Sequence, residues 1–359
     1  MDIKDLSLEE KIGQRFIFGV NSSNIDVVLD MVKECKIGGI ILYRRNYKTY
    51  NDMIKVIKKF KTANKNNRIP LFIAIDEEGG VVNRIPDEII ELKNIYDVTK
   101  KDYKLTLEYA SIISEILRET GINMNFAPVV DIYNNSKSKA LEKRCFYGDK
   151  EDVYKGAKVY IDVASKNRIV SVPKHYPGHG STKRDSHLLM PYVMDYNEVL
   201  DKHMYPFNEL IKDSIDALMV GHIRIKKICR YLPATLNNSF LEKYLRKDNN
   251  YDGLIISDEV NMLRRNPTLK FNYEDKMLKS LADIILIKLK NNNEGYKLLN
   301  KYKKILEKDN DKLLLLDLMV ERILRVKKKY KINDDVSFTG VDVEAINKRI
   351  DKINKEVIG

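Results

Sequence analysis

Eight short apolar runs rich in β-branched residues, separated by longer stretches of helical periodicity, constrain this chain more than any other feature. They are RFIFGV (15–20), GGIILY (38–43), LFIAID (71–76), INMNFAPVVDI (122–132), IVSVPKHY (169–176), ALMVGHI (217–223), GLIISD (253–258) and ADIILI (282–287). A run that is apolar at nearly every position suits a strand covered on both faces. In the interval 102–120, Leu105, Tyr109, Ile112, Ile113, Ile116 and Leu117 fall on one helical face, and Gly121 follows as a C-terminal cap. Similar amphipathic stretches cover about 25–35, 50–62, 150–166, 197–214 and 311–330. The alternation predicts an α/β fold, a single-domain TIM (β/α)8-type barrel over residues 1–330, with an open doubly wound sheet as the alternative. Residues 331–359 are expected to form a lysine-rich helical extension packing on or near the barrel. No Pro/Gly/Ser-rich linker and no internal repeat interrupts the chain.

Polar residues gather at the C-terminal ends of five of these runs: Asp76, Asp131, Lys174 with His175, His222 and Asp258. In a barrel those ends surround one axial mouth, where barrel enzymes build their sites. Taken one at a time, such residues could equally cap helices or fill a polar barrel layer. Their shared end argues for a site.

The net charge of +12 could suggest a nucleic-acid partner, but the lysines are scattered in pairs and triplets such as Lys58-Lys59 and Lys327 to Lys329. Neither a basic arm nor an aromatic-basic module is present, so neither nucleic acid nor membrane is expected as a partner. The three cysteines, Cys35, Cys145 and Cys229, are too few and too far apart for a disulfide framework. With no signal-peptide h-region and no apolar stretch long enough to span a bilayer, the expected location is the cytoplasm, unless a leader has been removed.

Three of the chain's five histidines lie in KHYPGHGSTKRDSH, residues 174–187. His175 and His179 have the spacing of zinc ligands on a helix, but Pro177 and Gly178 between them oppose that helix. No metal is therefore expected. The GHGST stretch lacks the spacing of phosphate-binding loops. Acid-base chemistry is better supported: Asp185 stands two residues before His187, close enough across a sharp turn to orient its imidazole. A second group comes from IISDEVNM, where Asp258 ends a strand and could act as a nucleophile or simply cap the following helix. Ser257 lacks a GxSxG elbow and is a poor nucleophile candidate.

Assembled in order, these segments resemble glycoside hydrolase family 3, in particular its bacterial β-N-acetylglucosaminidase branch. The resemblance runs from about residue 5 to 290 through KIGQRFIFG, GGIILYRRNY, AIDEEGGVVNR, NFAPVVDI, KHYPGHG…DSH, LMVGHI and IISDEVNM. It implies Asp258 as catalytic nucleophile, His187 as general acid/base and Asp185 as its orienting partner. By the same resemblance, Asp76, Arg84, Arg144, Lys174 and His175 would bind a terminal N-acetylglucosamine, with His222 as a further pocket residue. His179 is expected to shape the loop. The implied activity is that of a retaining exo-β-N-acetylglucosaminidase acting on peptidoglycan-derived fragments of the GlcNAc-MurNAc type, without cofactor and as a monomer. A phosphorylase on the same scaffold and a noncatalytic wall-fragment-binding homologue are the alternatives. Three departures from the family pattern stand out: Tyr176 in place of the commoner Phe, Cys145 in place of a small Ser, and the stretch LRRNPTLKFN after Asp258.

Overall fold

The computed structural model describes all residues except 1, 22, 134–140, 181–191, 194, 230, 266–268, 270–272, 290 and 359. Each of the eight apolar runs contributes a strand: β1 (Phe16–Gly19), β2 (Gly39–Leu42), β3 (Phe72–Ile75), β4 (Met124–Asn125), β5 (Val170–Ser171), β7 (Ala217–Val220), β9 (Leu254–Ser257) and β10 (Ile285–Lys288). A small parallel pair, β6 (Tyr192–Val193) with β8 (Arg224–Ile225), was not foreseen in the periodicity. Six strands form one parallel sheet in the order β10-β1-β2-β3-β4-β5, and β7 pairs in parallel with β9. The last strand lies beside the first and the others follow in chain order, without the reversal of order that defines a doubly wound sheet.

Parallel pairing also continues on both flanks of the β7-β9 pair. Tyr176 bridges Val220 and Ile256 bridges Ile284. The Tyr176 N–H donates to Met219 O at 2.9 Å, and the Ser257 N–H donates to Ile284 O at 2.9 Å. The architecture is a TIM-barrel-like α/β fold.

Alternation along each strand explains why the runs are continuously apolar. Ile17, Ile41, Phe72, Ala74, Met124, Val170, Ala217, Met219, Leu254, Ile256 and Leu286 form one buried cluster inside the sheet. Their neighbours Phe16, Phe18, Ile40, Leu42, Ile73 and Ile75 belong to the outer cluster packed under the helices. Both faces therefore need apolar side chains, and burying them supplies the main driving force for the fold.

Three predicted elements are cut short, each beside a proline. The 122–132 and 169–176 runs form a continuous ladder only at Met124–Asn125 and Val170–Ser171; Pro128 and Pro173, which have no N–H to donate, separate it from a further bridge between Val129 and Lys174. The expected 197–214 helix divides into a short α-helical turn at Tyr196–Glu198, a π-helical stretch at Val199–His203 and an α-helix at Tyr205–Lys212 with Pro206 in its first turn. The other predicted helices appear as Ile25–Cys35, Tyr50–Asn64, Leu105–Glu119, Lys150–Lys166 and Asn310–Lys329. Gly121 ends the 105–119 helix at φ +83°. The final helix, Val343–Ile358, packs against Leu105–Glu119 and Ile95–Lys101.

Candidate active site

The C-terminal ends of the strands open into a cavity of about 840 Å³ lined by Asp76, Glu78, Arg84, Arg144, Lys174, His175, His179 and Asp258. Tyr43, Arg44, Arg45, Glu259, Asn261 and Lys288 complete its polar wall.

β3 delivers Asp76 and then a sharp turn, Glu77-Glu78-Gly79-Gly80. Both glycines sit at positive φ, +77° and +56°. A Cβ at Gly79 would stand 1.9 Å from the Tyr109 hydroxyl, so the turn admits no side chain there. The turn aims Glu78 at two cations. Lys174 Nζ lies 2.6 Å from Glu78 Oε1 and 2.8 Å from Asp76 Oδ1. Arg144 grips the same carboxylate with Nε and Nη2, each at 2.8 Å. Burial opposes ionisation of Glu78, yet Lys174 and Arg144 outweigh it and hold its carboxyl down at about 2. Burial likewise disfavours the Lys174 ammonium, but Asp76 and Glu78 prevail and raise its pKa. Glu78 was not singled out from the sequence. Its place between two glycines and two acids was the available signal.

Asp131, fully buried at the end of the β4 segment, organises the histidine stretch. Its Oδ2 accepts from His175 Nδ1 at 2.8 Å, and its Oδ1 accepts from the His179 N–H at 2.6 Å. A carboxylate only accepts, so the Nδ1 of His175 carries the proton. The rings of His175 and His179 meet edge to face with centroids 6.0 Å apart. Burial pushes the His179 imidazole down to about 4, leaving it neutral at pH 7. The His179 N–H bond to Asp131 ties the backbone down just before residues 181–191, which lie outside the described residues.

Asp258 stands at the end of β9 facing this cluster. Among the described residues its carboxylate takes one hydrogen bond, from the Glu259 N–H to Oδ1 at 2.7 Å. Burial works against its charge, but His222, His175, the Glu259 N–H and Lys174 together keep its pKa below the ordinary carboxylate value. The result is an ionised carboxylate with lone pairs to spare at the cavity wall. Such a group can attack an electrophilic carbon or take a proton.

His222 is placed differently from the other expected pocket residues. It is buried behind Asp258, with Nε2 3.1 Å from Glu259 O and Nδ1 3.0 Å from Thr235 Oγ1. The Thr235 hydroxyl in turn donates to Gly221 O at 2.7 Å. His222 therefore braces the Asp258-Glu259 corner and is not among the cavity-lining residues. Arg84 does reach the cavity. Its Nε is buried with no hydrogen-bond partner among the described residues. Asp185 and His187 lie outside the described residues.

Of the departures, Tyr176 is buried against Phe207 and Phe240, away from the cavity. Cys145 is fully buried beside Arg144. In the third, Arg264 is held by the Tyr273 hydroxyl and the Glu294 carboxylate; residues 266–268 and 270–272 lie outside the described residues.

The family model described as the glycosyl hydrolase family 3 N-terminal domain matches residues 7–326. A beta-hexosaminidase of Psychromonas ingrahamii is 32% identical over 233 residues, 63% of this chain and 67% of that protein. One of Methylobacillus flagellatus is 30% identical over 234 residues, 63% of this chain and 66% of that protein. These alignments span about two thirds of the length of the curated relatives. A solved glycoside hydrolase family 3 beta-N-acetylglucosaminidase from Paenibacillus sp. strain FPU-7 superposes with a TM-score of 0.86 at 27% identity, covering 98% of this chain and 69% of that one.

Proposed function

The chain belongs to glycosyl hydrolase family 3, and from that premise we propose that it is a retaining exo-β-N-acetylglucosaminidase. The observation that carries this reading is Asp258, an ionised and lightly hydrogen-bonded carboxylate facing a polar cavity of about 840 Å³. Asp258 attacks the anomeric carbon of a terminal β-linked N-acetylglucosamine, while His187, oriented by Asp185, protonates the departing oxygen. The resulting glycosyl-enzyme is released by water that the same histidine deprotonates.

In this reading Asp76 accepts from sugar hydroxyls, and Arg84, Arg144, Lys174 and His175 supply further polar contacts. The paired charges among them keep the donors and acceptors oriented before substrate arrives. His222 contributes by bracing Asp258. The names of the curated relatives and of the 27%-identical structure support the sugar specificity. Peptidoglycan-derived GlcNAc-MurNAc fragments are the proposed natural substrate and a cytoplasmic monomer the proposed form. The eight parallel strands are proposed to close into one barrel unit over residues 1–330, a reading supported by the bridges flanking β7-β9, with 331–359 docked as an extension.

The test is turnover of aryl N-acetyl-β-glucosaminide beside aryl β-glucoside and aryl β-xyloside, each with and without inorganic phosphate. Free N-acetylglucosamine as the dominant product, unchanged by phosphate, is expected. A sugar 1-phosphate would establish a phosphorylase instead. Sugar binding without turnover of any of the three would establish a noncatalytic homologue.

A further inference from the structure

The segment after the cavity turn, residues 85–94, has no helix and no strand, and its backbone polar groups need partners from elsewhere. The final helix supplies them. Asn347 Oδ1 accepts from the Ile90 N–H at 2.8 Å, and its Nδ2 donates to Glu88 O at 2.9 Å. Seven residues on, Asn354 repeats the pattern three residues further along the coil: Oδ1 accepts from the Lys93 N–H and Nδ2 donates to Glu91 O, both at 2.9 Å. A spacing of seven puts both amides on one helical face. Each amide pairs with the coil as a neighbouring strand would. Ile350 lies between them and lines the same small space as Ile89, Leu92 and Glu77.

The coil is tied in turn to the cavity turn. Leu92 O accepts from the Gly80 N–H at 3.0 Å, and Asn94 Oδ1 accepts from the Val81 N–H at 3.1 Å. From the inner side, Glu77 Oε2 accepts from the Arg84 N–H at 2.6 Å, and the Tyr47 hydroxyl donates to Arg84 O at 2.9 Å. The final helix lies beyond residue 326, where the family match ends.

We infer that the C-terminal helix is a positioning element of the binding site, with Asn347 and Asn354 as positioning residues that hold the 88–93 coil and through it set Arg84 in the cavity. The inference rests on the reading of Arg84 as a substrate-binding residue. An ordered coil fixes the guanidinium in advance. A loosened one makes each binding event bear the cost of ordering it.

The test uses the full chain and aryl N-acetyl-β-glucosaminide. The double variant Asn347→Ala/Asn354→Ala should raise KM about tenfold and leave kcat within about twofold. Arg349→Ala removes the ion pairs to Glu108 and Glu115 that dock the same helix but touches no group of the coil. It should lower Tm and leave KM unchanged. In an Arg84→Ala background, the two asparagine substitutions should add no further rise in KM. If the double variant does not fold, the single variants carry the same test with a smaller rise each. An unchanged KM in the asparagine variants, or the same rise with and without Arg84, overturns the inference. An unchanged KM in Arg84→Ala alone overturns the assignment of Arg84 itself, and the inference falls with it.

Discussion

The two ends of the strands both withdraw ionisable side chains from water and use them in opposite ways. At the N-terminal end, Arg15 donates to Leu278 O, Ser280 O and Ala282 O, and Lys327 donates to Gln14 Oε1, Gly38 O and Pro70 O. Asp283, fully buried, is gripped by Arg246 and Arg322 and also accepts the Ile255 N–H. These side chains close the floor by satisfying backbone groups just before β2, β3 and β10 and within β9, and the Gln14 side chain just before β1. At the C-terminal end, Asp76, Glu78, Arg144, Lys174 and Asp258 all border an open cavity. Charged groups at the floor are taken up by the chain's own polar groups, whereas those at the mouth face open space.

Removing ionisable groups one at a time from each end separates the two uses. Asp258→Ala should lower kcat by about 10⁴-fold if it is the proposed nucleophile, while leaving Tm within about 2 °C, because among the described residues its carboxylate takes a single hydrogen bond. Two lysines allow a direct comparison. Lys174→Met should cost about 10³-fold in kcat/KM by leaving Asp76 and Glu78 unbalanced in the pocket. Lys327→Met should leave kinetics unchanged and cost about 3 kcal/mol of stability, since Gln14 Oε1 and Pro70 O lose their donor and Gly38 O keeps only the Phe72 N–H. Reversed results for the two lysines would dissolve the distinction between mouth and floor.

Glu78 sharpens the comparison by belonging to both classes. Its folded pKa is depressed from the ordinary 4.5 to about 2, so its contribution to stability is present above pH 4.5 and is lost as pH falls toward 2. At 1.36 kcal/mol per unit, that contribution is on the order of 3 kcal/mol. Urea titrations of Glu78→Gln against the parent should show a stability gap that is constant above pH 5 and narrows below it. The smallest effect is expected at Tyr176, whose buried hydroxyl has no partner among the described residues. Tyr176→Phe should be neutral or raise stability by up to about 1 kcal/mol and leave kinetics alone.

The mouth was far more legible in the sequence than the floor. Asp76, Lys174, His175 and Asp258 follow directly on apolar runs, so finding the strands also found them. Glu78 was missed because its part depends on two positive-φ glycines turning it back toward Lys174. Asp131 was seen as a strand end, but its grip on His175 and His179 is a contact across 44 and 48 residues. His222 read as a pocket residue from its position, and only the approach of Thr235 reveals it as a brace. The floor was illegible for a simpler reason: Lys327 reaches Pro70 across 257 residues, and nothing near it in the chain marks it apart from Lys328 or Lys329. The strand boundaries missed at 122–132 and the helix split at Pro206 trace to prolines already visible in the sequence.

Asp258 is the group proposed to form a covalent bond to the sugar. Incubation with a fluorinated N-acetylglucosaminide that slows deglycosylation, followed by proteolysis and mass spectrometry, tests it most directly. One sugar adduct is expected, on Asp258 within the peptide carrying IISDEVNM. An adduct on another residue, or full activity in Asp258→Ala with no adduct anywhere, would contradict it.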